Sequence, residues 1–297
     1  MPGAGLLKKN RIIIIVLLVF VILSGVFYLR SPVIVVTDNS FIQLYGTARL
    51  SFRVIRSSLE FFRRVIPVTV YESAGNDLVA LAVESVSRSP RAVLFPDRYL
   101  EGARLYKEKK PEAPVIVMTG REYVPTDETA LVFAGTDIVT DLYRAGLSAG
   151  LLAGDKKTLF LYEKNPENEQ REAFLEGVKI QGSDGEPIFL PITLDYSSYP
   201  EVGCVVVFGS ATKFLENTPQ IPVILFSWVD PALTPRAVKL VFDDSPWALV
   251  VDTLRTTLLP GEPVKIPSVP VLLRNRINER EDFRKLGEII NKKFHKM

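Results

Sequence analysis

Histidine and cysteine are almost missing from this sequence: each occurs once in 297 residues, as His295 and Cys204. A lone histidine excludes histidine metal centres and serine–histidine triads, which need imidazoles placed beside partners from other elements. A lone cysteine excludes an intramolecular disulfide, so stability must come from a hydrophobic core, which a chain of this length can bury. Cys204 lies in the apolar run Cys204–Phe208 and reads as a buried, inert thiol. Three signatures are also missing: a G-x-G-x-x-G after a strand, a G-x-x-x-x-G-K-[ST] loop and a G-x-S-x-G elbow. No cofactor is implied and the chain is not expected to be an enzyme; acid–base chemistry by carboxylates alone is the enzymatic alternative left open. The net charge is only +2 and no basic face stands out, so nucleic acid is not an expected partner. With 47% hydrophobic and 24% charged residues, the composition is that of a folded protein rather than a disordered one.

The strongest signal present is the uncharged run Ile12–Leu29, about 18 residues and roughly 27 Å as a helix, close to the thickness of a hydrocarbon core. Lys8, Lys9 and Arg11 precede it, Arg30 follows it, and Tyr28 sits where an interfacial aromatic belongs. The positive-inside bias places the N-terminus in the cytoplasm and the remainder outside. A buried core helix would need a polar face, which the run lacks. A cleaved signal peptide is the other alternative, but the run exceeds the usual apolar region and no A-x-A-like site follows. A retained signal anchor is the expectation. Leu23-Ser24-Gly25 resembles the start of a bacterial lipobox, but Val26 occupies the position of the lipidated cysteine.

After the anchor, short β-branched runs alternate with longer amphipathic ones, the pattern of βα units and a parallel sheet. Strands are expected at Val33–Thr37, Val68–Tyr71, Ala92–Phe95, Val115–Thr119 and Leu131–Ala134, with helices at Leu44–Arg64, Asp77–Ser87 and Leu100–Lys109. In Asp77–Ser87 the apolar face is read as Leu78, Leu81, Ala82 and Val86. The rhythm restarts with helices at Asp141–Ala153 and Glu167–Lys179 and strands at Thr158–Tyr162, Ile188–Leu194, Cys204–Phe208 and Val223–Phe226. A short helix is expected near Lys213–Glu216, a strand at Ala237–Phe242, a helix at Pro246–Leu259, an extended stretch at Val264–Leu273 and a charged helix at Asn278–Phe294. The expected organisation is a cytoplasmic stub (1–11), a transmembrane anchor (12–29), an N-terminal lobe (33–134), a C-terminal lobe (135–227) and a segment (228–297) returning between lobes. Only about three residues separate the anchor from the first strand, so the globular part is expected close to the bilayer.

Several segments share a resemblance. Thr37-Asp38-Asn39-Ser40-Phe41 resembles the Asp-x-Ser-Phe motif of the basic membrane protein family of nucleoside-binding lipoproteins, with Gly46 as the glycine that follows. Ala149-Gly150-Leu151-Leu152-Ala153-Gly154 is similar to the family's entry into its second lobe, and Ala173–Lys179 to the next helix. Trp228-Val229-Asp230 stands where the family carries Val-Asp-x-Asp. Ile42 replaces an asparagine, the glycine-rich turn reads only Gly209-Ser210-Ala211, and the family's lysine beyond the Val-Asp-x-Asp strand is missing around Phe242-Asp243-Asp244. The resemblance implies a two-lobed α/β fold of the type I periplasmic-binding-protein class, mostly parallel sheets with helices on both faces, closing on a small molecule.

The implied ligand is nucleoside or sugar-like and the implied partner an ABC-type permease or a sensor; a ligand-free protein-interaction module on the same fold is the alternative. Sugars and nucleosides call for carboxylate acceptors and aromatic faces at strand ends. The candidate ligand residues are Asp38, Phe41, Asp97, Asp137, Trp228 and Asp230. Each has a plainer structural reading: helix capping or a turn for the aspartates, packing for the aromatics.

Overall fold

The computed structural model describes residues 3–39, 54–60, 62–120, 130–181, 185–192, 199–209, 220–226, 234–243, 253, 264–273 and 280–290. The chain divides into two compact units, one of residues 1–117 with 130–132, the other of 118–129 with 133–297.

The chain begins with helix α1 (Gly3–Leu29), which extends the apolar run back through Lys8, Lys9 and Arg11. Among the described residues no helix is long and apolar enough to cross a membrane; in α1 the described side chains are those of 14–19 and 21–29. The anchor expected over Ile12–Leu29 therefore stays a reading of the sequence alone.

Strand β1 (Val33–Asp38) is buried along its whole length, and β2 (Val65–Val70) lies parallel beside it, Val33 opposite Val65 and Asp38 opposite Val70. The second strand starts three residues earlier than the sequence indicated. The helix expected through Arg64 gives way at Phe62, whose φ of 48° is left-handed and ends helical continuation. Helix α2 (Asn76–Val86) buries Val79, Ala80 and Val83, whereas Leu78 and Leu81 are 60% and 55% exposed. This corrects the face read from the sequence. The smaller side chains face inward because helix α3 (Leu100–Lys109) approaches closely there, and a Cβ on Gly102 would lie 3.3 Å from Val79. Between the helices come β3 (Ala92–Pro96), parallel to β1 on its other side, and a 3-10 turn at Asp97–Tyr99.

The remaining strands are β4 (Val115–Gly120), β5 (Val132–Thr136), β6 (Lys157–Tyr162), β7 (Ile188–Pro191), β8 (Val202–Phe208), β9 (Val223–Leu225), β10 (Val238–Asp243), β11 (Val264–Ile266) and β12 (Val269–Leu272). Three further helices follow, α4 (Ile138–Ala153), α5 (Asn168–Ile180) and α6 (Arg280–Ile289). The first sheet has the order β11-β5-β4-β3-β1-β2 and the second β12-β10-β9-β8-β6-β7. Pairing is parallel at β1–β2, β1–β3, β5–β11, β6–β7, β6–β8, β8–β9 and β9–β10; β10–β12 is antiparallel. The extended stretch expected at Val264–Leu273 is thus two strands of different sheets, joined by Pro267-Ser268. The helices expected at Lys213–Glu216 and Pro246–Leu259 lie outside the described residues, apart from Thr253.

The second sheet shows why its strands read as unbroken apolar runs. Phe160, Cys204, Val206 and Ile224 pack toward α4 and α5 in one cluster, while Leu159, Leu161, Val205, Val207 and Leu225 fill another. Both faces are buried, so the side chains pointing either way must be apolar. Burial raises the thiol pKa of Cys204, leaving it protonated and inert. Helices α4 and α5 meet through glycines: a Cβ on Gly146 would sit 2.2 Å from the Phe174 carbonyl, and one on Gly177 2.3 Å from that of Tyr143.

Candidate functional site

In an open parallel sheet, the strand order reverses where the chain first winds one way and then the other, and the loops diverge there. In the first sheet that point lies between β1 and β3, and in the second between β6 and β8. Both points are built from strand ends.

At the first point, β1 ends in Asp38, which is fully buried. Its Oδ2 accepts a 2.7 Å hydrogen bond from the hydroxyl of Tyr99 and is paired with the guanidinium of Arg98. Both partners come from the 3-10 turn that follows β3, so adjacency of the two strands brings the three side chains together. Tyr99 is itself buried, while the Arg98 side chain keeps 41% of its surface open and lies 5.3 Å over the Tyr99 ring. Burial pushes the Tyr99 hydroxyl pKa up, with the Arg98 charge opposing and the Glu72 carboxylate adding to it. Tyr99 therefore stays a proton donor, and Asp38 holds a positive group and a hydroxyl at the same oxygen. The side of this cluster open to solvent is the guanidinium.

Asp97 is exposed, and its Oδ1 accepts from the backbone N–H of Arg98 at 2.7 Å. It orders the turn that delivers Arg98 and Tyr99, which is the turn-forming role rather than an open acceptor. Asp38 and Asp97 thus come together through Arg98. Asp137 belongs to the other compact unit. It caps α4, accepting from Thr140 N at 3.1 Å and from Thr140 Oγ1 at 2.7 Å. Phe41, Trp228 and Asp230 lie outside the described residues.

At the second point, the Glu163 N–H donates to the Phe208 carbonyl at 3.1 Å. Gly209 follows with φ 149°, and a Cβ there would lie 2.7 Å from the Glu163 Cβ. The exposed carboxylate of Glu163 is held beside a residue that only glycine accommodates without strain.

Four residues were not singled out from the sequence: Arg98, Tyr99, Glu163 and Asp141. Asp141, in the first turn of α4, is buried and accepts the Ser268 N–H on both oxygens at 3.0 Å, across 127 positions of sequence. Arg144 lies 3.8 Å away. Burial raises the Asp141 pKa to about 7, against the lowering effects of Ser268 and Arg144; Asp137 adds to the rise. The Ser268 hydroxyl has no hydrogen-bond partner among the described residues. A carboxylate one turn after a cap was visible in the sequence, but its burial depends on a strand junction far along the chain. Among the described residues no cluster of histidine, cysteine or carboxylates could hold a metal ion.

No known family model matches the sequence, and no curated protein matches it. Solved structures do. An ABC transporter solute-binding protein from Conexibacter woesei is similar at 8% identity, with 88% of this chain and 94% of that one covered and a TM-score of 0.57. A transcriptional activator of the comK gene from Bacillus halodurans is similar at 10% identity over 88% and 96% of the chains, with a TM-score of 0.55. A periplasmic solute-binding protein from Actinobacillus succinogenes, with bound D-allose, is similar at 11% identity over 84% and 100%, with a TM-score of 0.51. The chain therefore has the two-sheet α/β fold of the periplasmic-binding-protein type, a fold used by ABC-type solute-binding proteins and by a transcriptional activator.

Proposed function

We propose that the chain is a membrane-anchored, extracytoplasmic solute-binding protein that takes a small hydroxylated molecule, nucleoside or sugar-like, and serves an ABC-type permease or a sensor. The observation that carries this reading is the Asp38–Arg98–Tyr99 cluster at the reversal point of the first sheet, where open α/β sheets bind their ligands. Arg98 offers several N–H donors in a planar fork, and Asp38 behind it holds that fork in place. Hydroxyl oxygens can accept from such a fork without carrying charge. Phe41, Trp228 and Asp230 are proposed to complete the ligand contacts, as the resemblance to the basic membrane protein family implies. The fold's occurrence in a protein with bound D-allose supports a sugar-like ligand. The anchor is proposed for Ile12–Leu29 on the strength of its uncharged sequence, with the globular part outside.

A second reading has an observation of its own. The carboxylate of Asp38 already has two partners within the protein, so it is not an open acceptor. A protein-interaction module that kept the fold without a ligand would tolerate this. Small molecules released by denaturing natively purified protein, identified by mass spectrometry, test the two. A nucleoside or sugar recovered at near-stoichiometric yield supports solute binding. Added back at a hundredfold excess over its Kd, it should stabilise the fold by about 2.7 kcal/mol. Absence of any released metabolite, with no melting shift across nucleosides and sugars, favours the interaction module.

A further inference from the structure

The root of α1 is built differently from its length. Along Ile14–Val19 the apolar side chains are 48–61% exposed, with little of the protein against them. At the root the helix is locked to the first unit. Arg30 N–H donates to the Val26 carbonyl at 3.2 Å, carrying helical bonding to the last residue before Ser31. The ring of Phe27 meets that of Phe62 edge-on at 5.6 Å. Arg30 lies 5.6 Å over Phe62, and Arg64 lies 5.8 Å over Tyr28. Arg63 Nη1 donates to the Ser31 carbonyl at 3.1 Å, and the Arg91 N–H donates to the Pro32 carbonyl at 2.7 Å. Arg30 lies within the three-residue joint between helix and strand, and Arg63, Arg64 and Arg91 gather around it.

These arginines have no counter-charge from the described chain: none of the four is ion-paired among the described residues. Arg64 Nε is buried with no hydrogen-bond partner there. Burial lowers the pKa of Arg63, and the positive charges of Arg30 and Arg91 lower it further. Guanidinium groups gathered without carboxylates call for anions from outside. Their position, at the end of an apolar helix and beside Phe27, Tyr28 and Phe62, selects which anion. Aromatic rings at this level sit at the headgroup layer, and guanidinium forks suit phosphate oxygens.

We propose that Arg30, Arg63, Arg64 and Arg91 form a collar that binds the phosphates of anionic phospholipids where α1 leaves the bilayer. The proposal rests on the reading of α1 as an anchor. It adds that the first unit is seated on the headgroups by charge, with the apolar helix alone not setting its orientation.

The test uses the full chain in mild detergent, offered equal amounts of phosphatidylglycerol and phosphatidylcholine, with bound lipid read by native mass spectrometry. Phosphatidylglycerol should be bound in excess, and the excess should shrink as salt rises. The ratio of anionic to zwitterionic lipid should fall about fivefold for each arginine removed, in Arg91→Gln and then in Arg30→Gln/Arg91→Gln. Both side chains are exposed, so these variants keep the fold; Arg91→Lys should retain most of the preference. Equal binding of the two lipids by the unmodified chain overturns the collar. Carbonate extraction from pure phosphatidylcholine vesicles separates this failure from that of the anchor. A chain retained there without lipid preference has an anchor and no collar, whereas a chain released from them overturns the anchor and the collar with it.

Discussion

At the reversal point of the first sheet, β1 and β3 lead into a buried carboxylate, a guanidinium and a phenol; at the matching point of the second sheet, β6 and β8 end in a backbone hydrogen bond and a glycine. The strand orders are the same, so topology alone does not decide the chemistry. The first point is held by side chains that satisfy one another, and removing Asp38 takes the acceptor from the buried Tyr99 hydroxyl. At the second, the Glu163 N–H and the Phe208 carbonyl form a backbone link between the strand ends, and the Glu163 carboxylate is exposed. Damage should therefore be greater and more specific at the first.

Asp38→Ala should show this most strongly. It strips a buried hydroxyl and a half-open guanidinium of their shared acceptor, at a cost of about 3 kcal/mol, near the low end for broken buried pairs because Arg98 still reaches water. Urea denaturation measures it, and a loss below about 1 kcal/mol would make the cluster a surface feature. Gly209→Ala comes next, at about 2 kcal/mol, from a left-handed φ and a methyl pressed on Glu163. An unchanged melting curve would show that the second reversal point is loose, and the contrast between the two would fail.

The smallest effect, taken per pH unit, is a slope with pH, and it comes from a second buried carboxyl, Asp141. Burial raises the folded pKa of Asp141 to about 7, whereas the unfolded value is about 3.9. Between those values the folded state binds more protons than the unfolded one, so this group's contribution falls as pH rises and levels off above about 7. The slope cannot exceed about 1.4 kcal/mol per pH unit for one proton, and Asp141→Asn should remove it. Denaturation midpoints at several pH values between 4 and 8 check this; a wild type and variant with parallel profiles would refute it.

The alternation of apolar runs and amphipathic stretches made the βα architecture legible, because strands buried on both faces must be apolar throughout. Asp38 was legible too, as an acid closing such a run. Its partners were not: Arg98 and Tyr99 follow a different strand, and only the pairing of β1 with β3 makes them neighbours. The same limit hid Asp141, whose donor is 127 residues away. The misread face of α2 has another cause. Leucine spacing suggested one stripe, but close approach of α3 favours valine and alanine.

The bare contact between Gly146 and Gly177 carries a consequence for how mutations combine in this protein. Gly146 stands five positions after Asp141 on α4, about 7.5 Å along the axis, and neither glycine touches a polar group of the candidate site. An alanine at either position must drive α4 and α5 apart, since the atom it meets is backbone carbonyl. A rigid helix transmits that displacement to its first turn, where Asp141 meets Ser268 at 3.0 Å. Substitutions at Gly146 and at Asp141 should then be epistatic, the second adding little once the first has already drawn the carboxyl away from the Ser268 N–H. Two missing methyl groups thus set the tolerance of a hydrogen bond they do not touch.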